Sequence, residues 1–326
     1  MSELKRRMDM EVGVGDANIK LKAKKNTWQK IKKQKTLVIM SIPFILYVAV
    51  FCYAPLAGWL MAFQKYKPAK GIFNQIWCGF DQFKFLFTDP NFLKVLRNTL
   101  CMALINLSLG FICSIGFALL LNEVRRILAK KFIQTVSYLP HFLSWIIVVG
   151  LVADVLSPGT GVINQILVGL HIVDTPINFF ADTKYFWGIV GISNVWKEVG
   201  WGSIIYLSAI TAINPDLYEA AEIDGAGRFK KMLNVTLPGI KSTIFILLIM
   251  DVGQILNAGF EVQYLLGNGL VQDVSQTIDI FVLKYGISLG NYSLATAAGI
   301  FKSVISLVLI FIANSFAKRV GEERLF

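Results

Sequence analysis

From Thr36 to Gln64 the chain carries no charged residue, and Asn98 to Asn122 is likewise uncharged. A helix needs about 20 apolar residues to cross the hydrocarbon core of a bilayer. Both stretches exceed that length, and this constrains the chain more than any motif does. Only 16% of its 326 residues are charged, against roughly 25% in ordinary soluble domains, and mean hydropathy is +0.59. A soluble globular enzyme needs more polar surface than this to cover its core.

Four further spans follow. They are Phe132 to Ala153, about Tyr185 to Ile213, about Lys241 to Leu266, and about Tyr292 to Ala317. Lys197-Glu198 interrupt the fourth span, Asp251 and Glu261 the fifth, and Lys302 the sixth. Pro43 and Pro55 in the first are tolerable where neighbouring helices re-satisfy the backbone. The expectation is an all-α membrane protein with six transmembrane helices. A basic segment covers 1–35, the six-span domain 36–317, and a short tail 318–326.

Six spans leave both termini on one side, and the charges choose it. With the N-terminus inside, the inner segments hold 22 Lys and Arg and the outer ones 6. Cytoplasmic loops of membrane proteins carry that excess. The expected placement is multi-pass in a membrane, with both termini cytoplasmic. Much of the net charge of +11 is this inside label, with 11 basic residues in 1–35. Membrane lipid is therefore the expected surrounding, and nucleic acid is not an expected partner. No cleavable signal peptide precedes the first span. Residues 19–31 read equally as an interfacial amphipathic helix or as a disordered basic flank.

No catalytic or metal constellation stands out. Cys52, Cys78, Cys101 and Cys113 form no CxxC, and His141 and His171 read as isolated imidazoles. No P-loop occurs, so any ATP must be bound by another chain.

The segment 214–241 is different. Asn214-Pro215-Asp216 opens a helix with a proline and an acid in its first turn. Leu217 to Ile223 continues it, and Asp224-Gly225 stops it. Phe229 to Leu233 suggests a second short helix, ended before Leu237-Pro238. The result is a helix–turn–helix elbow outside the bilayer, suited to docking in another protein's groove. Its plainer alternative is a connector.

Glu219, Ala220, Ala221, Gly225, Val235, Leu237 and Pro238, at this spacing, resemble the EAA loop of ABC importer permeases. Val235 stands where isoleucine is commoner. Asp224-Gly225-Ala226 resembles the carbohydrate branch of that family. Tyr53-Ala-Pro55, Ala62-Phe63, Tyr66-Lys-Pro68, Gly79-Phe80-Asp-Gln-Phe83 and Arg97-Asn98-Thr99-Leu100 also resemble that branch, in particular its polysaccharide and oligosaccharide permeases. The resemblance covers about 28 to 318.

It implies a type I importer permease (MetI-like) fold in a bacterial cytoplasmic membrane, and a transport subunit that is not an enzyme. It further implies a second homologous permease, two cytoplasmic ATPase subunits carrying ATP and magnesium, and an extracytoplasmic sugar-binding protein. Glu219, Ala220, Ala221, Asp224, Gly225, Leu237 and Pro238 would then form the ATPase-coupling loop. Glu219 would meet a basic residue of the ATPase, and the two alanines would allow close approach. The motion implied is rigid-body alternating access driven through the docked elbow.

Ionisable groups within spans usually face protein or water. Asp251, Gln254, Ala258 and Glu261 follow one face of span five, with Asn257 beside it. Asn194, Glu198 and Trp201 do so in span four, and Tyr138, His141 and Trp145 in span three. Carboxylates, amides and indoles suit sugar hydroxyls and C–H faces. Trp145, Asn194, Glu198, Trp201, Asp251, Gln254, Asn257 and Glu261 are therefore the candidate substrate path. The alternative is pairing between helices, such as Lys197 with Asp251 or Glu261. Lys302 reads either as favouring an acidic sugar or as snorkelling. Ala295 to Gly299 reads as a small-residue packing face.

The elbow does not encode substrate, so a permease for a non-carbohydrate solute stays open. A multipass enzyme acting on lipid-linked sugars would need paired acids at a membrane edge, but Asp81, Asp89, Asp174 and Asp182 are isolated. An ATP-independent carrier or channel would not need the elbow.

Overall fold

The computed structural model describes residues 33–71 and 73–321. The possible interfacial helix at 19–31 lies outside them, as does most of the 1–35 segment. Two compact units divide at Trp59 and Leu60. The first holds α1 (Lys35–Val48), which runs on through a π turn at Ala49–Tyr53. A tighter 3₁₀ stretch, Ala54–Phe63, begins one residue before Pro55. The apolar helix is 29 residues long in all.

The second unit begins with a two-stranded ribbon, β1 (Gln64–Lys65) antiparallel to β2 (Ile76–Trp77). Then come α2 (Asp81–Thr88), α3 (Pro90–Asn122), α4 (Ile127–Tyr138), α5 (Trp145–Leu156), α6 (Val162–Gly169) and α7 (Thr183–Thr211). The elbow comprises α8 (Pro215–Ile223) and α9 (Arg228–Lys231), which continues helically to Gly239. The last helices are α10 (Lys241–Gly253), α11 (Phe260–Leu266), α12 (Gln272–Ser275), α13 (Ile278–Leu283) and α14 (Tyr292–Val320).

Local chemistry fixes the ends of these helices. Asp89 caps α3 by accepting the Asn91 amide at 3.0 Å, with Pro90 at the first position. Asp182 caps α7 through Lys184 N at 3.0 Å. Gly321 closes α14 at φ +77°, after Lys318 and Arg319 in the last turn.

α3 and α7 pack along each other and form the spine. One apolar cluster joins Phe92, Phe281, Leu294 and Ala298 at the far end from the elbow. A second joins Met102, Phe186, Val190 and Val262. A third joins Leu121, Tyr206, Ile210 and Ile240 near the elbow. Small residues permit the close approaches. A Cβ on Gly200 would lie 2.1 Å from the Ser137 carbonyl oxygen, and one on Gly191 would lie 2.8 Å from Ile105 Cγ2. Part of the expected small face on α14 packs: Gly286 leaves a Cβ only 3.0 Å from the Ala295 Cβ, whereas Gly299 faces open space.

Several expected boundaries are corrected. Span two is helical from Pro90, because Asp89-Pro90 is a stronger start than the loss of charge at Asn98. Span three is not straight: its helices meet at 104° around Leu143-Ser144, where Pro140 ends the first and Ser144 caps the second. Span five is broken between Gly253 and Phe260. The second elbow helix does not stop before Leu237, since a π turn at Met232–Thr236 accommodates Pro238. Among the described residues, three helices are long and apolar enough to cross a membrane, and five spans result if each bent pair counts as one. α7 has the length of a sixth at 29 residues, but Lys197 and Glu198 lower its hydropathy.

Candidate functional site: a polar cavity at a broken helix and an exposed elbow

α10 ends at Gly253, and the backbone stays non-helical until α11 begins. Gly259 adopts φ +79°, a conformation that suits glycine and stops the helix resuming in register. Irregular backbone at membrane depth is tolerated where protein covers it or a cavity adjoins it. Both conditions hold here. The Ala258 carbonyl accepts from Asn106 Nδ2 of α3 at 3.4 Å and from the Gln263 side chain. Asn106 Oδ1 accepts from Asn194 Nδ2 of α7 at 2.9 Å. Two asparagines on neighbouring helices thus hold the break.

On the open side lies a cavity of about 380 Å³, within the range of ligand pockets, about 300–1,000 Å³. α3 contributes Asn106 and Ser114, and α7 contributes Glu198, Trp201 and Tyr206. α10 and the break contribute Asp251, Gln254 and Asn257. Asn257 donates to Gln254 Oε1, so these two amides present one joint surface.

Glu198 is held from two directions. Its Oε2 lies 2.7 Å from His141 Nδ1, and its Oε1 lies 3.3 Å from Lys197 Nζ. Lys197, only 5% exposed, also donates to the His141 carbonyl at 2.6 Å and sits 5.4 Å from the Trp145 ring centre. A buried ammonium needs such compensation. The His141 ring stacks parallel on Trp201 at 4.5 Å. His141 is therefore not the isolated imidazole expected, because the bend after Pro140 brings it to α7. The expected alternative pairing of Lys197 with Asp251 or Glu261 gives way to this pairing with Glu198.

The expected path divides in two. Glu198, Trp201, Asp251, Gln254 and Asn257 share the cavity, and Asn194 stands behind Asn106. Trp145 and Glu261 line a separate recess of about 470 Å³ with Lys197 and Tyr264. The break removes the continuous face that would have aligned Glu261 with Asp251. Asn106, Ser114 and Tyr206 line the cavity without having been singled out in the sequence. The available signal was Asn106, an amide deep inside an uncharged run. Lys302 neither snorkels nor faces this cavity, because it pairs with Asp279 at 2.5 Å.

The elbow is exposed. α8 stops as Gly225 N donates to the Glu222 carbonyl at 3.0 Å and Ala226 N donates to the Ala221 carbonyl at 2.8 Å. Gly225 takes φ +74° to do so. Tyr218 Oη and Thr236 Oγ1, 3.0 Å apart, join the two helices. Lys231 donates to Glu222 Oε2 at 2.7 Å and holds that carboxyl below its ordinary value. Glu219, Ala220, Asp224, Gly225 and Pro238 are exposed, while Ala221 and Leu237 are half-buried. Ile223 and Phe229 stand 87% and 77% exposed beside them. Apolar side chains that open to water on a short, braced elbow suit a protein contact.

The sequence profile of the binding-protein-dependent transport system inner membrane components matches residues 106–322. The chain belongs to that family. The permease is 43% identical over 312 residues to protein LplB of Bacillus subtilis (strain 168), covering 95% of this chain and 98% of that one. It is 44% identical over 297 residues to YteP of the same organism, a polygalacturonan/rhamnogalacturonan transport system permease protein, with 91% and 92% covered. Among solved structures it resembles a chain of a bacterial ABC transporter that imports the acidic polysaccharide alginate. There the identity is 39%, the TM-score 0.83, and the coverage 90% of this chain and 99% of that one. The permease therefore has the type I importer fold expected from the elbow and is a transport subunit.

Proposed function

We propose that this permease, with a second homologous permease, forms the membrane path of an ATP-driven importer for an oligosaccharide or polysaccharide. An extracytoplasmic binding protein delivers the sugar. Two ATPase subunits, which carry ATP and magnesium, dock on the elbows. Glu219, Gly225 and the exposed apolar residues beside them make that contact. The charge bias of 22 to 6 favours cytoplasmic termini and a cytoplasmic elbow.

The observation that carries the sugar assignment is the cavity wall. It joins Asp251, Gln254 and Asn257 as acceptors and donors for hydroxyls with Trp201 as a flat apolar partner. Similarity over about nine-tenths of the chain to a polygalacturonan/rhamnogalacturonan permease and to a chain of an alginate importer supports the same reading.

The test is sugar-stimulated ATP hydrolysis by the assembled importer in proteoliposomes. Asp251→Ala with Gln254→Ala is expected to abolish the stimulation, and unchanged stimulation would remove these residues from the path. Glu219→Lys with Gly225→Pro is expected to lose the ATPases on co-purification.

A further inference from the structure

The charges around the cavity fall in one direction. Its wall contains Glu198 and Asp251, and among the described residues no lysine, arginine or histidine lines it. The nearest cation, Lys197, is spoken for. Its ammonium contacts the His141 carbonyl at 2.6 Å and Glu198 at 3.3 Å, and its recess is the other one, with Trp145 and Glu261. His141 turns Nδ1 toward Glu198 and stacks its ring on Trp201. Glu198 is thus occupied on both oxygens, and Asp251 is the carboxylate left to face the cavity.

The backbone adds the same sign. α10 is 13 residues long and ends at Gly253, beside Asp251 and Gln254. A helix C-terminus carries partial negative charge on its last carbonyls. Broken membrane helices that receive anions present the opposite, amino, end. A ligand in the cavity meets the Asp251 carboxylate and the Gln254–Asn257 pair of amides. Such a wall asks for hydroxyl donors and repels carboxylates.

We propose that the cavity is selective for sugar units without a carboxylate, with Asp251 as the specificity-determining residue. This rests on the carbohydrate reading given above and narrows it, and it sets this cavity against the acidic cargo of the alginate importer that the chain resembles. Uronate units, which carry one negative charge each, are rejected by Asp251. Neutral units are held by hydroxyls that donate to Asp251 and to the Gln254–Asn257 pair, with Trp201 behind a C–H face.

The experiment is equilibrium binding to the purified permease–ATPase complex, with the binding protein omitted so that its own selectivity does not enter. The probes are two tetrasaccharides that differ only at C6, hydroxymethyl in one and carboxylate in the other. The neutral probe is expected to bind tighter by on the order of tenfold. Asp251→Asn weakens the neutral probe and strengthens the uronate, so the ratio shrinks about tenfold. Gln254→Lys, which adds a cation to the wall, shifts it the same way and serves if the first variant fails to assemble. Tighter uronate binding by the wild type overturns the proposal, as does a ratio that neither variant moves. Sugar-stimulated ATP hydrolysis by the assembled importer is run in parallel. Stimulation together with uronate preference sinks the selectivity alone, whereas no stimulation by any saccharide sinks the carbohydrate reading and this proposal with it.

Discussion

Glu222 and Lys231 are nine residues apart and do not share a helix face, yet their side chains meet at 2.7 Å. The turn at Gly225 makes the pair. Because Lys231 lowers the Glu222 carboxyl below its ordinary 4.5, the stabilisation it gives is present above that pH. It is lost as pH falls through the lowered value. Amide exchange at 224–226, corrected for its intrinsic pH dependence, should therefore accelerate on acidification below 4.5. Glu222→Gln should flatten that response, and an unchanged profile would sink the assignment. The residues of the turn were legible in the sequence, since proline, acid and glycine act on their own neighbours. The pairing of Lys197 was not. Glu198 is its neighbour in the chain, but its second partner, the His141 carbonyl, depends on how the arm ending at Phe142 packs against α7, and spacing along one helix carries no such information.

At the scale of elements, the spans were legible from hydropathy and their interruptions were not. Gly253, Asn257 and Gly259 were all in view, but each occurs inside intact membrane helices too. What makes them a break is Asn106, an amide from another helix that donates to the freed Ala258 carbonyl and is itself held by Asn194. Asn106→Leu should lower stability in detergent by about 1 kcal/mol, because it takes one of two donors from the Ala258 carbonyl and leaves the Asn194 amide without its partner. Sugar binding should weaken with it, since Gln254 and Asn257 are placed by the same backbone. Thermal unfolding and equilibrium binding of one preparation would check both. A loss of stability with full binding would separate the brace from the cavity.

For the whole molecule, the charges within the spans are mostly settled by pairing. Lys197 has Glu198, and Lys302, with 16% of its side chain exposed, has Asp279 of α13 at 2.5 Å. Removing one partner of such a pair leaves a charge without compensation. Asp279→Leu should cost about 3 kcal/mol or more in detergent melting, and adding Lys302→Met should recover most of it. Equal melting of single and double variants would contradict the pairing. Asp251 stands apart because it faces a cavity. The break beside it has a consequence for how such a protein can change over generations. One residue inserted into an unbroken helix turns everything beyond it by about 100°. Between Gly253 and Phe260 no helical ladder runs through, so the same insertion is taken up locally. The segment proposed to meet the cargo is also the one whose length can drift without re-aiming the rest of the span.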